Sequence, residues 1–70
     1  MKYLIQSRDS QGQVCVLSQD WNFGQNLMTR AREISELVSC VIEVRRLEPN
    51  AGGNHNSVLA VKFKDGEEVK

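Results

Sequence analysis

Between residues 22 and 39 apolar side chains recur as Phe23, Leu27, Ala31, Ile34 and Val38, at steps of four, four, three and four. At about 100° per residue this spacing keeps all five on one stripe of an α-helix, with Thr29, Arg32, Glu33 and Glu36 on the opposite side. Asn22 is placed to cap the helix start, and Gln25, three residues later, stands where the reciprocal partner of a capping box belongs. No other stretch carries a helical period. The remaining apolar residues fall in short, strand-like runs.

Ahead of the helix, residues 2–7 alternate, Tyr3 and Ile5 on one face and Leu4 on the other. Residues 8–12 read as a turn, because Asp9 and Ser10 can bond nearby backbone and Gly12 can take a positive φ. Residues 13–17 return as a second strand, Val14 and Val16 opposing Cys15 and Leu17. Trp21 is expected to pack on the helix entry and close the bottom of the core, since tryptophan commonly buries most of its ring in small domains. An exposed Trp21 is the alternative.

After the helix the period changes. Val41, Ile42, Val44 and Leu47, interleaved with Glu43, Arg45 and Arg46, predict a third strand favoured by its β-branched residues. Residues 48–56 hold one proline, two glycines and three asparagines and read as a surface loop. The loop is long for a hairpin, where about two to five residues are usual. Residues 57–64 form the last strand, with Leu59, Val61 and Phe63 on one face. Asp65-Gly66 turns the chain, and residues 67–70 read as a frayed tail.

The order ββαββ predicts a single α+β domain over residues 1–70, one helix packed on a four-stranded antiparallel sheet of order 2-1-3-4. The covered face is expected to hold Tyr3, Ile5, Val14, Val16, Ile42, Val44, Leu59, Val61 and Phe63. The other face is expected to hold Leu4, Cys15, Leu17, Val41, Leu47, Val58 and Ala60, mixed with Lys2, Glu43, Arg45, Lys62 and Lys64. A slip of one residue in any strand would invert its share of these sets.

With 70 residues the chain is near the lower limit for burying a core unaided. Its nine basic and nine acidic residues balance, which argues against binding DNA by bulk positive charge and against acidic mimicry of DNA. Gln6, Ser7, Arg8 and Asp9 interrupt the N-terminal stretch too early for a signal peptide. No apolar run is longer than four residues, so no segment can span a bilayer as a helix. A bacterial or viral cytoplasm is the expected setting.

Catalytic chemistry has little to stand on. Cys15 and Cys40 are too few and too far apart for a disulfide framework or a zinc site, and each lies in apolar sequence where a reduced cysteine behaves as a small hydrophobe. His55 is the only histidine, and no sequence cue brings it near either thiol. One histidine without clustered carboxylates gives too few metal ligands. Gly52-Gly53 lies between strands, where it cannot open a helix and cradle a phosphate. The chain therefore reads as a non-enzyme without cofactor or metal.

Two surfaces remain as binding sites. Half a dozen apolar side chains on the uncovered sheet face would form a patch of the size that marks a protein or self-association surface, with a homodimer among the possibilities. Residues 41–64 carry Arg45, Arg46, Lys62 and Lys64 against Glu43 and Glu48, a local charge of +2, which could meet phosphates or an acidic protein groove. Sheet-face RNA binding usually adds exposed stacking aromatics, and here Tyr3 and Phe63 are expected to point inward. The 48–56 loop, with Asn54, His55 and Asn56, could insert into a partner's cleft.

In size, charge pattern and order of elements the chain resembles the small accessory proteins of phages and mobile elements, among them anti-CRISPR inhibitors built from one helix on an antiparallel sheet. The resemblance implies a non-enzymatic mode, in which a compact body docks on a host defence complex and blocks it. The expectation is thus a protein-interaction module anchored by Arg45, Arg46, Lys62 and Lys64 together with Asn54, His55 and Asn56. A small nucleic-acid-binding regulator and a structural subunit of a larger assembly are the rival readings.

Overall fold

A computed structural model of the chain describes residues 2–21 and 24–69. Its elements are β1 (Lys2–Arg8), β2 (Val14–Asp20), α1 (Gln25–Leu37), β3 (Val41–Pro49), β4 (His55–Lys64) and β5 (Glu67–Val69). The strands form one antiparallel sheet in the order β2-β1-β3-β4-β5. The α+β class and the 2-1-3-4 core of the sheet match the sequence expectation, and a fifth strand is added at the β4 edge. β2 and β3 both run antiparallel to β1 and so parallel to each other, a relation that needs a crossover, which α1 supplies.

Two of the three hairpins use the same turn. Gly12 N–H donates to Asp9 C=O and Asp9 N–H to Gln13 C=O, with Gly12 at φ 83°. Asp9 Oδ1 accepts from the N–H groups of Gln11 and Gln13, each at 2.9 Å. Asn50 repeats the arrangement: Gly53, at φ 80°, donates to Asn50 C=O, and Asn50 Oδ1 accepts from the N–H groups of Gly52 and Asn54. Each is a turn closed by a left-handed glycine bulge and held by an Asx side chain. The expected loop over 48–56 is therefore shorter than the composition suggested, because β3 runs to Pro49 and β4 begins at His55.

The third hairpin overturns the frayed tail. Asp65 and Gly66 both have positive φ, 53° and 82°, the two-residue turn whose twist matches flanking strands. It returns Glu67–Val69 onto β4 as β5, with Glu68 opposite Phe63.

The helix is shorter than expected at both ends. Gly24 stands at the N-cap with no side-chain cap, and Val38 closes the other end by donating its N–H to Ile34 C=O. Asn22 and Phe23, the expected cap and the first stripe residue, lie outside the described residues. Leu27 and Ala31 are buried with Ile5, Ile42, Val44 and Phe63, and Ile34, Val38, Met28, Tyr3 and Val61 pack around them. Fully burying side chains of the Ile, Leu and Phe kind contributes about 1.5–3 kcal/mol each. Ser35, which the stripe did not include, is also fully buried. Its Oγ donates to Arg32 C=O and accepts from Gly66 N–H at 2.8 Å, fastening the helix to the last turn.

Two β-bulges correct the expected facing of the strands. Ile5 is opposite Ser18 while Gln6 is opposite Val16, so Leu17 is extra. Val44 is opposite Val61 while Arg45 is opposite Leu59, so Ala60 is extra. Val14, Val16 and Leu59, expected inside, therefore share the uncovered face with Gln6 and Arg45. Cys15 and Val58, expected outside, share the helix side with Ser7 and Arg46. Each bulge moves one stretch of its strand to the other side of the sheet. Trp21 is the remaining correction: it is 69% exposed, with Lys2 Nζ 5.7 Å from its ring centroid.

Candidate interaction surface

The face of the sheet away from α1 is built around one carboxylate. Glu43, at the centre of β3, is 5% exposed although no helix covers it. Gln6, directly opposite on β1, donates Nε2 to Glu43 Oε1 at 2.7 Å. Arg8 Nε reaches Oε2 at 3.2 Å, and Arg45 Nη1 reaches Oε1 at 3.2 Å. The stems of these long side chains cover the carboxylate that their heads bind. Burial alone would raise the Glu43 pKa, but the hydrogen bonds from Arg8, Gln6 and Arg45, with the charge of Arg8, outweigh it and hold the carboxyl below its ordinary value.

The guanidinium groups are largely consumed by this network. Arg45 also donates Nε to Ser57 Oγ at 2.6 Å and Nη2 to Ser57 C=O at 3.1 Å. Arg8 donates Nη1 to Gly12 C=O at 3.3 Å. Around this polar centre lies an aliphatic surround that alternation and register place on the same face: Leu4, Val14, Val16, Leu47, Leu59 and Val69. Val14, Val16, Leu59 and Val69 are among the exposed large hydrophobics. Scattered exposed aliphatics are ordinary, whereas a set sharing one sheet face around an internally hydrogen-bonded carboxylate has the make-up of an interface core.

The structure brings together some of the expected anchors and separates others. Arg45, Lys62 and Lys64 share the open face. Lys62 lies opposite Glu43, and Lys64 Nζ donates to Ser39 C=O. Arg46 is on the helix side, where Nη2 meets Glu48 Oε1 at 3.2 Å and its buried Nε has no partner. Asn54, His55 and Asn56 sit at the far tip of the β3–β4 hairpin. Asn54 is held by Asn50, Asn56 Oδ1 accepts from Asn50 Nδ2 at 3.3 Å, and His55 is exposed opposite Pro49. The tip is thus a braced hairpin turn.

Arg30 on the helix pairs across to the sheet. Arg30 Nη1 turns to β2, 3.1 Å from Ser18 Oγ and 3.8 Å from Asp20 Oδ2. Cys40 adjoins the Val41 end of β3 and Cys15 lies opposite Ser7 near that end, whereas His55 adjoins Pro49 at the other. The thiols and the imidazole are therefore on opposite ends of the sheet. Among the described residues no three His, Cys, Asp or Glu side chains gather to hold a metal ion. No described helix is long and apolar enough to cross a membrane.

The Glu43 network, the residue set that most shapes this face, was not singled out in the sequence. Its signal was faint but present: a glutamate between Ile42 and Val44, in strand alternation with Arg45. Comparison with protein-family models, with curated proteins and with solved structures finds no match.

Proposed function

We propose that this chain is a non-catalytic protein-interaction module that docks through the open face of its sheet. The observation that carries the reading is the aliphatic surround of Leu4, Val14, Val16, Leu47, Leu59 and Val69 around a carboxylate already satisfied by Gln6, Arg8 and Arg45. A partner covering this face gains apolar burial while the Glu43 carboxylate it covers is already bonded within the sheet, a combination that favours an interface. The same network weighs against phosphate binding, because Arg8 and Arg45 are engaged with Glu43 and Tyr3 and Phe63 pack on the helix side. The likeness in element order to phage-borne inhibitors makes a host defence nucleoprotein the first partner class to try, with steric occlusion of a protein surface as the mode of action. Lys62, beside Glu43 and inside the surround, would then offer the central charge to an acidic group of the partner, and the exposed hairpin tip at His55 would lie at the rim of the contact.

The test is capture from a bacterial lysate with the tagged chain, with and without nuclease and across a salt series. The reading expects a protein at defined stoichiometry that survives nuclease and moderate salt. Recovery of nucleic acid alone, lost steeply as salt rises, would replace it with a nucleic-acid-binding role.

A further inference from the structure

β2 is an edge strand, and its first four residues, Val14, Cys15, Val16 and Leu17, are all exposed. The helix packs chiefly over β3, β4 and β5, and the Arg30 side chain reaches only the far end of β2, at Ser18 and Asp20. Folded proteins guard edge strands with lysine, proline or inward charge, and avoid runs of exposed apolar residues that serve no purpose. Residues 13–18 carry no charge and no proline.

The turn before β2 fixes which backbone groups meet solvent. Asp9 N–H bonds Gln13 C=O, so by antiparallel alternation Arg8 and Val14 are a non-hydrogen-bonded pair, Ser7 and Cys15 a bonded pair, and Gln6 and Val16 a non-bonded pair. The N–H and C=O groups of Val14 and Val16 therefore point away from β1, toward the free edge. Donors, acceptors and apolar side chains are presented together.

We propose that this edge is a homodimer interface, in which β2 of a second copy pairs antiparallel with β2 about a two-fold axis at Cys15. A two-fold perpendicular to the sheet keeps every side chain on its own face. Val14 then exchanges backbone hydrogen bonds with the second copy's Val16, and Val16 with its Val14. The four valines meet on the open face, and the two Cys15 residues stand opposite each other as a non-bonded pair on the other. The two sheets become one continuous sheet, and their open faces adjoin.

Charge and closure select a second copy as the occupant. Antiparallel self-pairing sets no like charges opposite one another, since Asp20 of each copy falls beside the other's Ser10 and away from the other's Asp20. The free stretch of β4, residues 55–61, begins with His55, Asn56 and Ser57 and is bent by the Ala60 bulge. Pairing β2 with that stretch would set valines against polar residues and run on without closing, whereas the two-fold contact is closed. A single strand pair is small beside the roughly 1,200 Å² of a standard specific interface, so the dimer is a reversible one. The inference does not rest on the docking role of the open face, and either can fail alone.

Sedimentation equilibrium from about 1 µM to about 1 mM, the span of moderate to weak complexes, tests it on the wild type and on Val16→Lys. Val16 is half exposed at the edge, so the substitution leaves the core intact, and circular dichroism checks this. The expected result is a monomer–dimer equilibrium whose dissociation constant rises at least tenfold in the variant. A second measurement avoids altering the edge. In a Cys40→Ser background, diamide should join the two Cys15 thiols, taking up their two electrons and two protons, because a non-bonded antiparallel pair has its Cα atoms about 4.5 Å apart, within disulfide range. A monomer at every concentration with no Cys15 cross-link overturns the proposal. So does a dimer indifferent to Val16→Lys, or assembly that continues beyond the dimer.

Discussion

Glu43→Gln removes the one negative charge at the centre of the open face while keeping the shape of the side chain. The glutamate side chain is 7% exposed, and its two oxygens accept from Gln6, Arg8 and Arg45. Glutamine retains one acceptor oxygen and sets an amide donor where the other oxygen met a guanidinium, so donor faces donor. Losing a buried hydrogen bond to a charged group costs about 1.5–3 kcal/mol. Arg8 is 40% exposed and can turn to water, which discounts its share, so about 1.5–2 kcal/mol is expected at neutral pH. Urea unfolding followed by circular dichroism reads this as a lower midpoint with an unchanged slope. The pH dependence sharpens the test. A glutamate whose folded pKa is depressed stabilises fully above its unfolded value, about 4.3, and loses that contribution as pH falls through the folded value. The variant lacks this contribution, so the gap between the two proteins should close in acid. Equal stability at neutral pH, or a gap that stays constant into acid, would refute the reasoning.

Four further substitutions probe the turns and the helix anchor. Ser35→Ala strands the Gly66 N–H that Ser35 Oγ now accepts, which should cost about 1–3 kcal/mol in the same urea assay. Asn50→Ala removes the acceptor shared by Gly52 and Asn54; a loss of about 1 kcal/mol is expected, with faster amide exchange confined to the β3–β4 tip. Gly66→Ala meets both a positive φ and Glu36 Cγ at 2.7 Å from the new Cβ, whereas at Gly12, φ 83°, nothing lies within 4 Å of it. Gly66→Ala should therefore lower the melting temperature more than Gly12→Ala, and equal shifts would show that the helix contact is immaterial.

What could be read from the sequence follows from how local each signal is. The helix stripe from Leu27 to Val38 and the alternation of Tyr3, Ile5, Ile42, Val44 and Phe63 needed only side-chain period, and these residues form or flank the core. Asp9 and Gly12 announced their turn because Asx and left-handed glycine have fixed offsets. The same offsets separate Asn50 from Gly53, but the neighbouring Gly52, Asn54 and Asn56 made the stretch look like an unstructured loop. Asp65-Gly66 was read as a turn, yet the short, charged residues after it carried too little strand pattern to reveal β5. The bulges at Leu17 and Ala60 were invisible, since an extra residue leaves the alternation of types along the chain unchanged while moving Val14, Val16 and Leu59 to the open face. The Glu43 network depends on three strands meeting in register, which no single stretch encodes. Arg45, an expected anchor for a partner, holds Glu43 instead, so its replacement would confuse folding with binding.

The most direct test of the docking surface is a quantitative capture with three baits: the wild type, an open-face variant carrying Leu47→Ser and Leu59→Ser, and a helix-face control carrying Glu33→Ser. Leu47 and Leu59 lie opposite Ser57 and Arg45 across β3 and β4 and make none of the Glu43 hydrogen bonds, so the double variant trims the apolar surround while keeping every bonding group of the network. Central apolar anchors typically cost more than 1 kcal/mol each when trimmed, so binding should weaken at least tenfold. The account predicts that the wild type and the control retain the same nuclease-resistant protein while the open-face variant loses it. Equal retention by all three baits, with the variants folded, would contradict it.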